Sequence, residues 1–287
     1  MTQPNSYFTS TKSRNHEVVR EAYSVWTSVW SPSPQTPPKP YPQFILFGDS
    51  ITQMSTAGLL CPLSERYNRR MDVLNRGMSG YTSRMGLDVL RHWFPSRPPS
   101  DNLTPQVKLM TLFFGANDAT LPGCPQHVPL HAYTGYLRDI VNHPGIASHD
   151  TKIILVTPPP VDEWQLGDQE RTASNTRAYA AACRQLGRDL GLPTLDLWTM
   201  FMTKAGWRED DDDRQKKPLI GSKAAPRNQV LADLLSDGLH FTPAAYQIVF
   251  DALLELIQTH LPDYVPDKLP FVYPDWKDQL GVVSALP

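Results

Sequence analysis

A serine that follows a short apolar run is the first position in this sequence that suggests chemistry. Ser50 ends the stretch FILFGDS, in which four apolar residues are followed by Gly48 and Asp49. Serine and aspartate are common between a strand and a helix, because their side chains accept hydrogen bonds from the free N–H groups of the first helical turn. Ser50 is therefore either a helix cap or a nucleophile. A nucleophile also requires a base, a group that orients the base, and donors for an oxyanion.

An aspartate and a histidine about one helical turn apart supply a candidate base. Asp237 and His240 lie in the stretch LSDGLHFTP. At this spacing the carboxylate can accept a hydrogen bond from Nδ1–H of the imidazole, which leaves Nε2 free to take a proton. The structural alternative is that Asp237 is a turn residue and His240 caps the helix that begins near Thr242–Pro243.

Two further residues could stabilise a developing negative charge. Gly80 follows the second predicted strand, and a glycine lets the backbone N–H approach a substrate closely. Asn117 follows the third predicted strand, where its side-chain amide could donate to an oxyanion. Taken singly, Gly80 is explained as an ordinary turn glycine, and Asn117 as a cap that it shares with Asp118. We favour the chemical interpretation, because the structural one requires several independent coincidences.

Alternating strand and helix patterns predict the scaffold that positions these residues. Continuously apolar strands between amphipathic helices are typical of a parallel sheet covered on both faces, so we expect a three-layer α/β/α sandwich. In such sheets the functional residues lie in loops beyond the carboxyl ends of the strands, where Ser50, Gly80 and Asn117 fall. The predicted strands are Phe44–Phe47, Val73–Leu74, Val107–Phe114, Lys152–Thr157 and Thr194–Leu197. The predicted helices are Ser83–Trp93, Leu130–Asn142, Ser174–Leu190 and Pro243–Leu261.

The sequence predicts one body with an addition at each end and one insertion. A helix over residues 16–30 and a Pro-rich spacer precede the body, and we expect this helix to pack on the domain rather than on a membrane or a partner. The run Asp210–Asp213 is expected to be solvated and flexible rather than a cation site. The predicted boundaries are 1–43 for the N-terminal extension, 44–261 for the body, 207–228 for the flexible charged insertion, and 262–287 for a C-terminal tail over the surface.

Composition and charge exclude several classes of partner. The 287 residues carry a net charge of −2, which gives no electrostatic reason to expect nucleic acid. Three cysteines without a C-x-x-C pair fit reduced thiols rather than a disulfide or zinc framework. No run approaches the ~20 apolar residues of a membrane span, and the N-terminus lacks the apolar core of a secretory signal. We therefore expect a cytoplasmic protein, with a weak organellar transit peptide as the alternative because the chain begins Ser/Thr-rich.

Two other patterns have plainer explanations than function. His127 and His131 have the spacing of metal ligands on a helix, but Pro129 lies between them and no partner ligand is evident nearby. We therefore expect a loop that leads into a helix, and no metal site. Three methionines could line an adaptable pocket near the serine, although core packing is the default for this residue. They are Met54, Met78 and Met85.

Together these blocks resemble those of the SGNH hydrolases, also called the GDSL esterase/lipase family. GDSIT, the glycine of MSGYTS, GAND and DGLH occur in the order of that family. The chain is most similar to the isoamyl acetate-hydrolysing esterase subgroup, and the similarity runs from about Phe44 to Leu261. The stretches that carry it are FGDSITQ, NRGMSGYTSR, FFGANDA, TPPPVDE and SDGLHFTPAAY.

The resemblance implies a role for each of the five positions. Ser50 corresponds to the nucleophile, His240 to the general base and Asp237 to the carboxylate that supports it. The N–H groups of Ser50 and Gly80 and Nδ2 of Asn117 correspond to the oxyanion hole. The resemblance further implies a five-stranded, mainly parallel sheet of flavodoxin-like order, no metal or organic cofactor, and a small-molecule ester as substrate, with acetates of short alcohols nearest. The oligomeric state is left open.

Other functions compete with an esterase to different degrees. An α/β-hydrolase nucleophile lies in G-x-S-x-G, and here Thr52 occupies the last glycine position, which excludes that fold. An acyltransferase, or an esterase that removes O-acetyl groups from a sugar or natural product, would use the same triad. A binding protein with a vestigial triad, acting through its N-terminal extension, is the alternative from a different class. It is disfavoured because all five chemical positions are filled.

Overall fold

The computed structural model of the chain describes residues 39–98, 100–167, 170–208 and 217–279. The polypeptide divides into two units, Met1–Lys39 and Pro40–Pro287, and every element below belongs to the second. The helix predicted over 16–30, most of the Pro-rich spacer and the run Asp210–Asp213 lie outside the described residues. The boundaries proposed for those segments stay predictions.

The described residues contain a five-stranded parallel sheet in the order β2-β1-β3-β4-β5. This is the flavodoxin-like order, so the predicted fold is confirmed. The first strand has β2 on one side and β3 on the other, which makes its carboxyl end the point where the chain switches sides. The strands are β1 Gln43–Gly48, β2 Asp72–Gly77, β3 Val107–Phe113, β4 Lys152–Val156 and β5 Thr194–Leu195.

Apolar side chains bury the sheet on both faces. Alternate residues of β1 point to opposite sides, as the period of a strand requires. Phe44 and Leu46 belong to one hydrophobic cluster, and Ile45 and Phe47 belong to the other. Each cluster is closed by helices, which gives the three layers expected from strands that are apolar along their whole length.

Helices cover both faces of the sheet, and the longer ones match the prediction closely. Thr82, Thr172 and Thr242 begin three of them, and each side chain accepts a hydrogen bond from the N–H three residues later. The α-helices are α1 Ser50–Gln53, α2 Cys61–Arg66, α3 Ser83–Trp93, α4 Leu130–Val141, α5 Pro144–His149, α6 Glu163–Leu166, α7 Ala173–Leu190, α8 Leu197–Lys204, α9 Gln229–Leu234, α10 Pro243–His260 and α11 Trp276–Gln279. A π-helix, Thr56–Leu60, and two 3₁₀ turns, Pro262–Tyr264 and Pro266–Lys268, complete the described elements.

The last strand is shorter than predicted. The sequence predicts a strand over Thr194–Leu197, but β5 ends at Leu195 and Leu197 is already the first residue of α8. Asp196 causes the change, because its carboxylate accepts a hydrogen bond from the Thr199 N–H and so caps the helix. The apolar pattern that indicated a longer strand comes from the buried face of α8.

The described ends of the predicted insertion contact the rest of the domain. The ring of Trp207 meets that of Trp198 edge-on with centroids 5.0 Å apart, and the Gly221 carbonyl accepts from the Glu163 N–H. Past α10, the Val272 N–H donates to the carbonyl of Arg69. The prediction of a flexible charged insertion over 207–228 stays a prediction, because the charged run at its centre lies outside the described residues.

None of the helices in these described ranges combines the length and the apolar character that a membrane crossing requires.

Candidate active site

Three neighbouring strands bring the predicted chemical residues to one edge of the sheet. Ser50 lies just beyond the carboxyl end of β1, Gly80 beyond β2 and Asn117 beyond β3. Because β2, β1 and β3 are adjacent and parallel, the loops after them meet at the same edge. Asp237 and His240 reach this edge from the segment between α9 and α10.

The sequence left Ser50 open as either a helix cap or a nucleophile, and the capping role belongs to the residue before it. Asp49 caps α1, since its Oδ1 accepts a hydrogen bond from the Ile51 N–H at 3.0 Å. The hydroxyl of Ser50 is not used for capping, and its Oγ lies 2.9 Å from Nε2 of His240. Ser50 is 6% exposed, so this contact is largely shielded from solvent. The arrangement leaves the hydroxyl with a base as its neighbour.

Asp237 contacts both the ring and the backbone of the histidine. Its Oδ2 lies 2.6 Å from Nδ1 of His240, while its Oδ1 accepts hydrogen bonds from the N–H groups of Leu239 and His240. Burial alone would raise the pKa of Asp237, but the hydrogen bonds from the imidazole and the two backbone N–H groups hold that pKa below its usual value. The carboxylate therefore stays ionised and favours the tautomer of His240 that has its proton on Nδ1.

The turn that carries Asp237 and His240 is held by the loop after β4. Gly238 has φ +88°, and a Cβ there would lie 2.5 Å from the carbonyl oxygen of Asp162. The Asp162 N–H in turn donates to the Gly238 carbonyl. Only glycine fits this left-handed position and this close approach. Asp162, in the stretch TPPPVDEW of residues 157–164, thus contacts the turn that carries the histidine.

The sequence left two structural roles open for this turn, a helix cap for His240 and a turn residue for Asp237, and only the second is present. Thr242 caps α10 and Pro243 is its first residue, so His240 does not cap the helix. Asp237 does act as a turn residue through its Oδ1, and it contacts the imidazole through its Oδ2. The same carboxylate therefore shapes the turn and orients the ring.

The three predicted oxyanion donors lie at the same edge. Within the described part of the chain, neither the Ser50 N–H nor the Gly80 N–H has a hydrogen-bond acceptor. Gly80 has φ +78°, a conformation that favours glycine. Asn117 is 3% exposed, and its Nδ2 donates one hydrogen to the carbonyl of Tyr81 at 2.9 Å. An amide nitrogen carries two hydrogens, so one remains for a ligand.

The residue after Asn117 serves the structure rather than the chemistry. Asp118 is fully buried and accepts hydrogen bonds from both the N–H and the hydroxyl of Ser83, the first residue of α3. It therefore ties the start of α3 to the loop after β3. The Asn117 side chain does not share this role.

Two buried carboxyl groups beside the serine have raised pKa values. Burial is the largest cause for Asp49 and raises its pKa to about 7, and the neighbouring carboxylate of Asp118 adds to the rise. The Ile51 N–H and the charge of Arg171 oppose it. Burial also raises the pKa of Asp118 to about 6, although the Ser83 hydroxyl and N–H oppose that rise. Near neutral pH, Asp49 is therefore partly protonated.

Sequence reasoning missed two polar residues that contact the predicted oxyanion donors. Arg171 donates to Oδ1 of Asn117, and Gln126 donates to the carbonyl of Gly80. Both lie in irregular segments and have no motif around them. Their partners are 54 and 46 residues away along the chain, so no local spacing could have identified them.

An open groove of about 650 Å³ lies beside the end of α1, the short helix that begins at Ser50. Met54 and Ser50 are four residues apart on one helical turn, with the Met54 N–H donating to the Ser50 carbonyl. Met54 is 60% exposed, so the default expectation of core packing is wrong for it. Phe241, next to His240, also lines the groove. The remaining residues that line the groove are Ala57, Gly58, Cys61, Pro62, Glu65, Pro243, Tyr246 and Gln247.

The two histidines with metal-like spacing have separate environments. Nδ1 of His127 lies 2.6 Å from the carbonyl oxygen of Thr120, and α4 begins after Pro129. Among the described residues, no group of three or more His, Cys, Asp or Glu side chains could hold a metal ion. The loop-to-helix interpretation agrees with these contacts.

Comparison with known proteins identifies relatives over most of the chain. The model of the GDSL-like lipase/acylhydrolase family matches residues 46–248. A GDSL esterase/lipase of Arabidopsis thaliana is 35% identical over 254 residues, which cover 81% of this chain and 91% of the plant protein. A mouse protein, isoamyl acetate-hydrolyzing esterase 1 homolog, is 35% identical over 253 residues, which cover 83% of this chain and 88% of that one. The solved structure of a lipase/acylhydrolase from Enterococcus faecalis has a TM-score of 0.52 and 21% identity, and the match covers 80% of this chain and 98% of that one.

Proposed function

The chain belongs to the GDSL-like lipase/acylhydrolase family and is a carboxylic ester hydrolase, and from that premise we propose that it cleaves small esters through an acyl-enzyme on Ser50. The observation that carries this proposal is the continuous contact from Asp237 Oδ2 to His240 Nδ1 and from His240 Nε2 to Ser50 Oγ, at 2.6 Å and 2.9 Å. A nucleophile, a base within reach, and a carboxylate that orients the base are what acyl transfer requires.

In the first half of the proposed reaction, Ser50 Oγ attacks the ester carbonyl while Nε2 of His240 takes the hydroxyl proton. The charged imidazole is stabilised by the Asp237 carboxylate. His240 then gives the proton to the leaving alcohol as the bond between the carbonyl carbon and that oxygen breaks. The acyl group remains on Ser50, and the alcohol leaves.

Water repeats the sequence in the second half. His240 takes a proton from a water molecule, whose oxygen attacks the acyl carbonyl, and the proton returns to Ser50 Oγ as the acid leaves. In both halves the negative charge on the carbonyl oxygen would be received by the N–H groups of Ser50 and Gly80 and by Nδ2 of Asn117. Removing one donor of this kind costs about 10²- to 10³-fold in kcat.

We assign the alcohol part of the ester to the groove beside Met54. The leaving oxygen must reach Nε2 of His240, so the alcohol lies on the histidine side of the reacting carbon. We place the groove on this side because two of its lining residues, Phe241 and Pro243, lie one and three residues after His240. Its apolar lining suits an alkyl chain. The mouse relative is named for hydrolysis of isoamyl acetate, an ester of a short branched alcohol, and we propose an acetate or another short-acyl ester of such an alcohol here.

A fluorophosphonate probe tests the nucleophile directly. The probe reacts with an activated serine, so we expect one covalent adduct on Ser50, located by peptide mass spectrometry, and its formation should slow when an acetate ester is present. A chain that forms no adduct would be better described as a binding protein with a vestigial triad. Adding a candidate alcohol during turnover and identifying the ester products would separate hydrolysis from acyl transfer.

The native thiol of Cys61 offers a test of the alcohol groove. Cys61 is exposed within the groove, whereas Cys183 is buried and Cys124 is intermediate. A maleimide on Cys61 should exclude part of a hexyl chain. Each buried CH₂ contributes about 0.8 kcal/mol, so losing about two of them should raise KM for hexyl acetate roughly tenfold. KM for ethyl acetate should stay unchanged.

The control for this labelling is Cys61→Ser treated with the same reagent. Its KM for both acetates should match that of the untreated wild type, because the groove then carries no thiol for the reagent. A changed KM would report reaction at Cys124 instead. Equal effects of Cys61 labelling on ethyl and hexyl acetate would contradict the assignment of the groove to the alcohol.

A further inference from the structure

Arg171 is a buried cation whose donors face the predicted oxyanion hole. The residue is 8% exposed. Its Nε donates to the carbonyl of Ala116 at 3.2 Å, and its Nη2 donates to Oδ1 of Asn117 at 3.1 Å and to Oε1 of Gln126 at 3.2 Å. All three acceptors are uncharged. A guanidinium loses much hydration when it is buried, so a site with three neutral acceptors indicates a role beyond surface solubility.

The same guanidinium reaches a second donor of the oxyanion hole through Gln126. The side-chain amide of Gln126 accepts from Arg171 with Oε1, and its Nε2 donates to the carbonyl of Gly80 at 2.7 Å. Gly80 itself has a positive φ, and its N–H has no acceptor among the described residues. Arg171 is therefore connected to Asn117 directly and to Gly80 through one side chain.

We propose that Arg171 is a positioning residue of the oxyanion hole, which orients and polarises the Asn117 amide and, through Gln126, restrains Gly80. This inference rests on the proposed function. A bond from a cation to Oδ1 determines which way the amide faces, so that Nδ2 points to Tyr81 and to the substrate. It also draws electron density toward Oδ1, which makes the remaining Nδ2–H a stronger donor.

A purely structural role for Arg171 is the alternative. Two buried carboxyl groups, Asp49 and Asp118, lie in the same region, and the charge of Arg171 opposes the rise in the pKa of Asp49. A cation that only balances these carboxyl groups would change the free energy of unfolding. It would not act on kcat through Asn117. The two roles therefore differ in their coupling to Asn117.

A double-mutant cycle between Arg171→Lys and Asn117→Ala distinguishes these roles. Lysine keeps the positive charge near the carboxyl groups but lacks the planar fork that serves three acceptors at once. We expect Arg171→Lys to lower kcat for p-nitrophenyl acetate by about tenfold to a hundredfold with KM little changed, since a displaced catalytic donor has effects of this size. In the Asn117→Ala background the same substitution should lower kcat only severalfold, because only the route through Gln126 to Gly80 remains.

Each outcome of the cycle is decisive. A threefold or smaller loss from Arg171→Lys in the otherwise wild-type chain overturns the proposal, as does the same large loss in both backgrounds. Thermal unfolding identifies a variant that fails to fold, and for that case Gln126→Leu is the second variant. It leaves Arg171 in place, removes the link to Gly80, and should lower kcat severalfold, while an unchanged kcat would count against the proposed link.

A control variant and the wild-type turnover separate a failure of the Arg171 proposal from a failure of the proposed esterase function. Arg91 forms an exposed pair with Asp88 on α3, and Arg91→Met should leave kcat and KM unchanged. Turnover of p-nitrophenyl acetate by the wild type reports on the proposed function. The absence of any turnover would remove both proposals, whereas turnover without coupling between Arg171 and Asn117 would remove only this one.

Discussion

Ser50→Ala is expected to lower kcat for p-nitrophenyl acetate by about 10⁴- to 10⁶-fold, the range seen when the nucleophile of a triad is removed. The substitution deletes Oγ, which is both the proposed attacking atom and the neighbour of His240 Nε2. The fold should survive, because the cap of α1 comes from Asp49 and its bond to the Ile51 N–H is untouched. A thermal unfolding midpoint close to that of the wild type would establish this.

A second serine provides the matched control. Ser79 is exposed and directly precedes Gly80, yet its hydroxyl makes no hydrogen bond with any described residue, and only its N–H is used, as a donor to Gln53. Ser79→Ala should keep kcat within about twofold of the wild type, as is usual for a surface change without partners. A folded Ser50→Ala variant that still turns over p-nitrophenyl acetate at the wild-type rate would refute the acyl-enzyme on Ser50.

The fold could be predicted because its signals are local. The strand β1 is apolar on both faces, and the threonines that begin α3, α7 and α10 stand at recognisable positions, so the bounds of these elements could be read from short windows. The end of β5 could not, because the capping bond of Asp196 outweighed an apolar pattern that fits either a strand or a helix. The π-helix Thr56–Leu60 likewise has no sequence signal.

The candidate site could be predicted to the extent that its residues follow strands. The positions of Ser50, Gly80 and Asn117 come from the topology of a parallel sheet, in which the carboxyl ends of neighbouring strands meet. The positions of Arg171 and Gln126 come from long-range hydrogen bonds between irregular segments. These contacts exist only after the chain has folded, and no spacing in the sequence indicates them.

Asp237, the carboxylate of the proposed triad, is the residue where a single-atom change should have the second largest effect. Asp237→Asn keeps an oxygen at the Oδ1 position, so the N–H groups of Leu239 and His240 retain their acceptor and the turn is preserved. The group that replaces Oδ2 is an NH₂, which donates. Nδ1 of His240 must then accept, and the ring proton moves to Nε2, where it faces Ser50 Oγ. The base is lost although every heavy atom stays in place.

We expect Asp237→Asn to lower kcat for p-nitrophenyl acetate by about 10²- to 10⁴-fold, since a wrong tautomer of this kind costs up to ~10⁴ in triad enzymes. The range extends down to about 10²-fold because the Asp237 side chain is 55% exposed, so water can partly replace its bond to the imidazole. Asp233→Asn is the control, because among the described residues that carboxylate accepts a hydrogen bond only from Gln229, on the exposed face of α9. A folded Asp237→Asn variant with kcat within threefold of the wild type would mean that His240 takes its orientation from elsewhere.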